Sequence, residues 1–359
     1  MLQRIYKCSA DNNKHFVSHN SINERNLDLW RLLTQKKNLI DSERNWDRAK
    51  KITNEYEMVS FFSQESKRFF PISRSYYKMT EILLEFDFHK RFGSGLTCAC
   101  ICEGPGGFVQ AIDHYTKRFD IHIKPISCIS LVSNDKRVPR WRLENNTLYK
   151  IHYGLDLTGD IYNKSNIDHF VGEVGESTCD FVTGDGGFDF SDDFNSQETS
   201  FQTLLLCEIL TIFKLQKNGG MCVLKIFDVF DKTSIQLMSV IMGSYASVYF
   251  VKPKTSRPAN SEKYLVCDGY VKNNKIIDIL GRVLSGEKTL DDVCDAKTYE
   301  ITLRSVFEYN KLFVSNQIWY IQTTLDYLSE GHDMKNNYNE INNILCREWV
   351  AKYMPTPIC

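Results

Sequence analysis

Two hydrophobic patterns alternate along the middle of this chain: short, uniformly apolar runs, and longer stretches whose apolar residues recur every three or four positions. From about 66 to 270 the two succeed one another as in an α/β fold. LTCACIC (96–102) predicts a strand that runs straight into a glycine turn, with a helix from Phe108 onward. HIKPISCISLV (122–132) predicts a second strand, and CDFVTGDGG (179–187) another that ends in a turn. QTLLLCEILTIFKL (202–215) reads as a buried helix closed by Asn218-Gly219-Gly220, and MCVLKIF (221–227) as the strand that follows. SVYFVKP (247–253) and KYLVCDGY (263–270) predict an antiparallel pair of edge strands, because only a short segment joins them.

The flanks differ. Residues 1–65 read as a charged helical extension in which Ser21 and Glu24 have capping-box spacing, followed by Leu27, Trp30 and Leu33 at helical intervals. Such an extension is either a packing appendage or a surface for substrate or partner. Residues 271–359 are again helical and charged, with VFEYNKLFVSNQIWYIQTTLDYL (306–328) the clearest amphipathic part. The chain thus divides into an N-terminal extension (1–65), a central α/β domain (66–270) and a helical C-terminal region (271–359), without internal repeats.

Composition narrows the field only a little. With 44 Lys and Arg against 45 Asp and Glu, the net charge over 359 residues is -1, so any surface that binds nucleic acid must be locally basic. The 12 cysteines include no CxxC pair, which argues against a zinc ribbon or a dithiol redox site. Cys98, Cys100 and Cys102 alternate as on one strand face and read as small core residues. The N-terminus lacks a signal-like apolar core and no window approaches ~18 apolar residues, so the expectation is a cytoplasmic or nuclear protein with no membrane partner. The sequons at Asn145 and Asn163 then read as accidental. A bias toward Asn, Lys, Ile and Tyr, as AT-rich genomes encode, leaves a viral or protist origin open.

Five segments carry chemistry. Cys102-Glu103-Gly104-Pro105-Gly106-Gly107-Phe108 is a glycine turn between a strand and a helix, the place where a doubly wound sheet binds an adenosine-containing cofactor. It is neither GxGxxG nor a phosphate-binding P-loop. Asp185, in TGDGG, belongs at the end of a strand on the same sheet edge. Lys225 interrupts the apolar strand VLKIF, so it is either snorkelling from an edge or paired and used. Glu262 stands just before the last strand, and Lys78 at the start of a helix that leads into the first.

The set Lys78, Asp185, Lys225 and Glu262 resembles the K-D-K-E tetrad of the FtsJ-like (RrmJ-type) ribose 2′-O-methyltransferases, most closely the eukaryotic and viral cap-specific mRNA (nucleoside-2′-O-)-methyltransferase branch. The strings that carry the resemblance are CEGPGGF, YGLDLTGDIYN, DFVTGDGGFD, GGMCVLKIFD and KPKTSRPANSEKYLV, in the family's order over roughly 66–270. The resemblance implies a Rossmann-like S-adenosylmethionine-dependent methyltransferase sheet flanked by helices. It implies that Cys102, Glu103, Gly104, Pro105, Gly106, Gly107 and Phe108 line the methionine and ribose side of S-adenosyl-L-methionine, with Asp185 alongside. Asp160 and Ile161 would meet the adenine, and Ser73, where many family members carry Asn, would approach from the first helix. Asn195 and Asn260 would touch the capped RNA while Ser256 and Arg257 shape the loop over it.

Methyl transfer to a ribose hydroxyl needs the 2′-oxygen aimed in line and relieved of its proton, without a metal. Lys225 is the candidate base, with Lys78 able to stabilise developing oxyanion charge. An unperturbed lysine titrates near ~10.4, too high to be neutral at pH 7. Burial and the charge of Lys78 would lower that value, whereas Asp185 and Glu262 would raise it. The reading is therefore cap ribose 2′-O-methylation of mRNA, with the terminal regions open to transcription or capping partners. Its alternatives are a ribosomal or transfer RNA ribose methyltransferase and a non-catalytic cap-binding or scaffold protein.

Overall fold

The computed structural model describes residues 4–8, 19–67, 69–92, 95–143, 147–188, 195–330 and 335–354; Asn145 and the last five residues lie outside them. Strand β1 (Ile5–Lys7) is followed by helices α1 (His19–Asp41), α2 (Trp46–Ile52), α3 (Val59–Lys67) and α4 (Ser75–Glu85). The central elements are β2 (Cys98–Ile101), α5 (Gly107–Arg118), β3 (Ile126–Ile129), β4 (Tyr149–His152), α6 (Lys164–Val174), β5 (Cys179–Gly184), α7 (Gln197–Leu215), β6 (Gln216–Ile226), α8 (Lys232–Ser244), β7 (Tyr245–Val251) and β8 (Lys263–Tyr270). Helices α9 (Asn274–Leu284), α10 (Ala296–Glu330) and α11 (Lys335–Tyr353) complete the chain.

The strands form one sheet in the order β1-β7-β8-β6-β5-β2-β3-β4. Strands β2 to β6 are mutually parallel, β8 runs antiparallel beside β6, and β7, antiparallel to β8, takes up the common direction again. From β2 the chain steps outward through β3 and β4, then crosses back to build β5 and β6 on the other side. The order therefore reverses between β2 and β5, the point at which doubly wound sheets bind ligands beyond their strand ends. This is the expected Rossmann-like α/β architecture.

Side-chain alternation divides the core into two layers. Ala99, Ile101, Val182, Cys222, Leu224 and Ile226 pack with α6, α7 and α8 on one face. Cys98, Cys100, Phe181, Met221, Val223 and Tyr264 pack with α4, α5 and α11 on the other. Cys98 and Cys100 share a face as expected, but Cys102 does not join them. The strand ends at Ile101, and Cys102, at φ +58°, turns toward the opposite layer.

The strands depart from expectation in three further places. β7 and β8 pair antiparallel, but neither is an edge: β8 lies between β7 and β6, and β1 covers β7. Strand β4 (YKIH) has no counterpart in the sequence pattern, because its mostly exposed or half-buried residues form no apolar run. Asn218-Gly219-Gly220 do not separate helix from strand. α7 passes directly into β6 at Gln216, and the glycines form an irregular stretch inside that strand, where pairing jumps from Cys179–Gln216 to Phe181–Met221.

The flanks pack on one another. α1 and α2 lie against α10, and α3 and α2 against α11. α1 begins at His19, so Ser21 and Glu24 lie inside the helix rather than at its cap. Its buried stripe is Ile22, Asn26, Leu33, Lys37 and Ile40, while Leu27 and Trp30 remain exposed. Among the described residues, no helix is long and apolar enough to cross a membrane.

Candidate active site

Lys225 is the penultimate residue of β6 and shares its face with Val223, so alternation points it into the α4–α5 layer. Glu262 precedes Tyr264 by two positions and points into the same layer. Lys78, on the first turn of α4, completes this side, and Asp185 follows β5 at the neighbouring strand end. The structure thus brings all four residues to one sheet edge beside the switch point. They form two ion pairs, Lys225 Nζ to Asp185 Oδ1 at 3.2 Å and Lys78 Nζ to Glu262 Oε1 at 2.6 Å. Lys225 also donates to the Asp185 carbonyl at 2.7 Å, and Tyr264 donates its hydroxyl to Asp185 Oδ1 at 3.1 Å.

Geometry settles the balance of charge on Lys225. Burial disfavours the ammonium, but Asp185, Glu262 and Glu208 together outweigh it and hold the group above the ordinary lysine value. The lowering expected from Lys78 does not prevail, since that ammonium lies against Glu262. Burial would likewise raise Glu262, yet Lys78, Lys225 and Lys252 keep its carboxyl well below the usual carboxylate range.

The loop 252–261 that leads into Glu262 is fastened from many sides. Lys252 Nζ donates to the carbonyl and Oδ1 of Asn260 and to the carbonyl of Glu262, at 2.6–2.8 Å. Glu81 of α4 accepts from the Lys254 and Thr255 N–H groups and from Trp349 Nε1 of α11. Glu57 accepts both Nε and Nη2 of Arg257, and Arg74 donates to the Thr255 carbonyl. Ser256 is fully buried and donates its hydroxyl to Glu262 Oε1 at 2.9 Å. Ser256 and Arg257 thus tie the loop to Glu262 and Glu57, and Ser256 has no surface to offer an RNA. Asn260 is exposed. Asn195 is exposed too and donates to Asn38 of α1 at 2.8 Å, next to the undescribed segment 189–194.

The glycine turn lies beyond β2. Its glycines first accommodate the protein's own atoms. A Cβ on Gly107 would stand 2.1 Å from Ser75 Oγ and 2.2 Å from Ser73 Oγ, and one on Gly106, at φ +115°, would stand 2.6 Å from Leu143. Gly104 is similarly closed by the Pro139 carbonyl, and the Pro105 carbonyl accepts from the Arg142 N–H at 3.0 Å. The turn is thus roofed by the loop after β3, a contact with no local pattern to announce it. Ser73 bonds Ser75 at 2.6 Å. Phe108 is buried against Tyr264 and belongs to the core rather than to a ligand surface, and Ile161 is equally buried.

The residues present suit S-adenosyl-L-methionine, a cation joined to an adenine. Glu103, Asp185 and Glu208 converge at the switch point, where burial and then Asp185 push Glu103 well above the usual carboxylate value. One oxygen of Glu103 accepts from Thr183 at 2.9 Å, and its other oxygen is buried with no partner among the described residues. Such a surplus of carboxyl groups favours a positively charged ligand. Beyond β3 and β4, Leu131, Val132, Leu155, Leu157 and Tyr162 are exposed, an apolar surface suited to a flat base. Asp160 lies among them, accepting from the Tyr162 N–H at 2.9 Å. The buried Asn166 orders this loop by bonding Asp156, Thr158 and the Asp160 carbonyl. Sequence reading missed Asn166, as it missed Glu208 and Lys252, because single polar residues in apolar segments carry no periodic signal.

Comparison with known proteins agrees with this arrangement. The FtsJ-like methyltransferase family matches residues 71–270. The chain is 30 % identical over 278 residues to the cap-specific mRNA (nucleoside-2′-O-)-methyltransferase 2 of Pongo abelii, covering 72 % of this chain and 35 % of that protein. It is 27 % identical over 373 residues to the cap-specific mRNA (nucleoside-2′-O-)-methyltransferase 1 of Dictyostelium discoideum, covering 93 % and 48 %. A protein of the latter name from Danio rerio is 35 % identical over 176 residues, or 47 % of this chain and 21 % of its own length. The chain spans less than half the length of each of these relatives. With its switch-point glycine turn and its paired lysines and carboxylates, this chain belongs to the FtsJ-like methyltransferase family.

Proposed function

We propose that the protein transfers a methyl group from S-adenosyl-L-methionine to the ribose 2′-hydroxyl of cap-proximal nucleotides of mRNA. The observation that carries this reading is the pair of ion pairs at the switch point, Lys225–Asp185 and Lys78–Glu262, at the edge of a sheet built as in the family. The relatives' names, all cap-specific, support the choice of substrate.

When bound, S-adenosyl-L-methionine supplies an electrophilic methyl group on a sulfonium. Glu103 and the backbone from Cys102 to Gly107 would hold its amino-acid and ribose parts, and Asp160 its base. Lys78 and Glu262 fix one another and so present an ammonium beside the ribose oxygen, where growing negative charge is stabilised. Lys225 accepts the hydroxyl proton at Nζ, while Asp185 and Tyr264 hold it in place. Because Lys225 is held protonated by its carboxylates, it must first lose a proton, and a cation placed against the same carboxylates lowers its hold on it. The RNA-facing surface includes Asn260 and Arg257, and further round the cofactor turn Lys136, Arg140 and Arg142. These last three have no ion pair among the described residues. They are the local basic surface that a chain of net charge -1 requires.

The test is methyl transfer from labelled S-adenosyl-L-methionine to matched transcripts at fixed salt, one with a 7-methylguanosine cap and one with a 5′ triphosphate. A strong preference for the capped RNA is expected. Equal rates, or preference for folded ribosomal or transfer RNA, would remove the cap from the assignment.

A further inference from the structure

Glu208 stands apart from the residues that the family resemblance singled out. It projects from α7, on the sheet face opposite Lys78, and has no exposed surface. Its Oε1 accepts the Gly186 N–H at 3.0 Å, directly beneath the turn that carries Asp185. The glycines of TGDGG make room for this carboxyl: a Cβ would stand 2.9 Å from Oε1 at Gly184 and 2.7 Å at Gly186. Its Oε2 is buried with no hydrogen-bond partner among the described residues. A carboxyl so deeply buried and half satisfied is costly to keep, and two glycines of the turn make space for it.

We propose that Glu208 is a positioning residue of the transfer site, fixing the turn that presents Asp185 to Lys225 and governing by its own ionisation how firmly Lys225 keeps its proton. The proposal rests on the reading of Lys225 as proton acceptor. The groups that face Glu208 are Lys225 on β6, Asp185 beyond β5, Cys102 beyond β2, Cys207 on α7 and Tyr162 beyond β4. Burial pushes Glu208 up to about 8, against the pull of the Gly186 N–H and of Lys225. The carboxyl is therefore neutral in mildly acidic solution and gains its charge as pH rises through about 8. That new charge faces Lys225 just where Lys225 must become neutral, so it delays the loss of the lysine's proton.

Glu208→Gln keeps an oxygen for the Gly186 N–H and removes the charge. The alkaline-rising limb of the pH–rate profile should then move to lower pH by roughly half to one unit. Glu208→Ala removes the support, and kcat should fall at least tenfold while KM for S-adenosyl-L-methionine stays within threefold. The second readout is direct. NMR titration of ¹³Cε-lysine in the full chain, assigned to Lys225 with Lys225→Arg, should show the same downward displacement in Glu208→Gln. An unmoved limb together with an unmoved Lys225 titration overturns the proposal, as does an Ala variant of unchanged kcat. A moved titration with Lys225→Ala still active leaves the Glu208 coupling standing and removes instead the role of Lys225 as base.

Discussion

Lys225 is half-buried, yet Asp185 and Glu262, joined by Glu208 once it ionises, keep it charged, and this tension defines what single substitutions should do. Lys225→Ala should lower methyl transfer by ~10²–10⁴ while S-adenosyl-L-methionine affinity, read by calorimetry, stays within a few-fold. Lys225→Arg should be equally inactive, because a guanidinium does not release its proton near neutral pH. Either variant retaining full activity would end the assignment. Gly106→Ala should weaken cofactor binding and lower stability by about 1–3 kcal/mol, since φ +115° and the Leu143 side chain at 2.6 Å both oppose a Cβ. Glu208 has a stability signature of its own. Its folded value of about 8 lies above the ~4.3 of an unfolded glutamate, so the stability its neutral form contributes is present below the unfolded value and is lost as pH rises toward about 8. Glu208→Gln should therefore gain Tm over the parent more at pH 9 than at pH 5.

At the scale of elements, the loop between β3 and β4 joins the glycine turn to the basic surface proposed for RNA. Leu143 and the Pro139 carbonyl close the spaces beside Gly106 and Gly104, and Arg142 is tied through its N–H to Pro105. The cations Lys136, Arg140 and Arg142 on this anchored loop lie outside every carboxylate pairing among the described residues. If they neutralise RNA phosphates, Arg140→Ala and Arg142→Ala should each flatten the plot of log affinity against log salt by about 0.7. Cofactor affinity should be unchanged. An unaltered slope would place the RNA elsewhere. On the other side of the site, α1 reaches the loop 252–261 through charge. Lys37 and Lys263 both bond Asp228, at 2.8 and 2.9 Å, and Ser261 donates to it at 2.7 Å. Asp228→Ala would leave two buried ammonium groups unpaired, and urea unfolding should register a loss of about 3–5 kcal/mol.

For the whole molecule, the site is completed by segments far from it in sequence. Trp349 of α11 and Glu81 of α4 together hold the backbone at Lys254 and Thr255. Gln317 of α10 donates to Ser261 and to the Ala259 carbonyl, and Glu57 holds Arg257. The N-terminal strand covers the edge of β7. Residues 66–270 hold the tetrad and the glycine turn, but excised alone they would lose these supports and expose an unpaired strand edge. The excised segment should transfer methyl groups at no more than a hundredth of the full chain's rate and aggregate more readily, as light scattering and the labelled-methyl assay would show. Full activity in the excised segment would reduce the flanks to an appendage.

The sequence by itself determined the α/β class, the positions of β2, β5, β6 and the switch-point turn, and the four residues that meet there. The strands and the turn follow from local patterns, apolar runs bounded by glycine, and Lys225 from a lysine placed in a strand that alternation must point inward. Lys78 and Glu262 stood out through the resemblance to the tetrad. Tertiary structure alone decided the rest. That β1 caps the sheet, that β4 exists and that β7 and β8 lie inside the edge depend on partners distant in the chain. Whether Lys225 is charged could not be read from composition, because burial and carboxylates act in opposite directions and only their distances decide between them. Likewise Phe108 and Ser256 have the sequence context of ligand contacts, yet the packing of Tyr264 and the hydroxyl bond to Glu262 turn both inward. Glu208 was invisible within an apolar helix, since its meaning comes from two glycines that precede it in sequence and lie above it only in the folded chain.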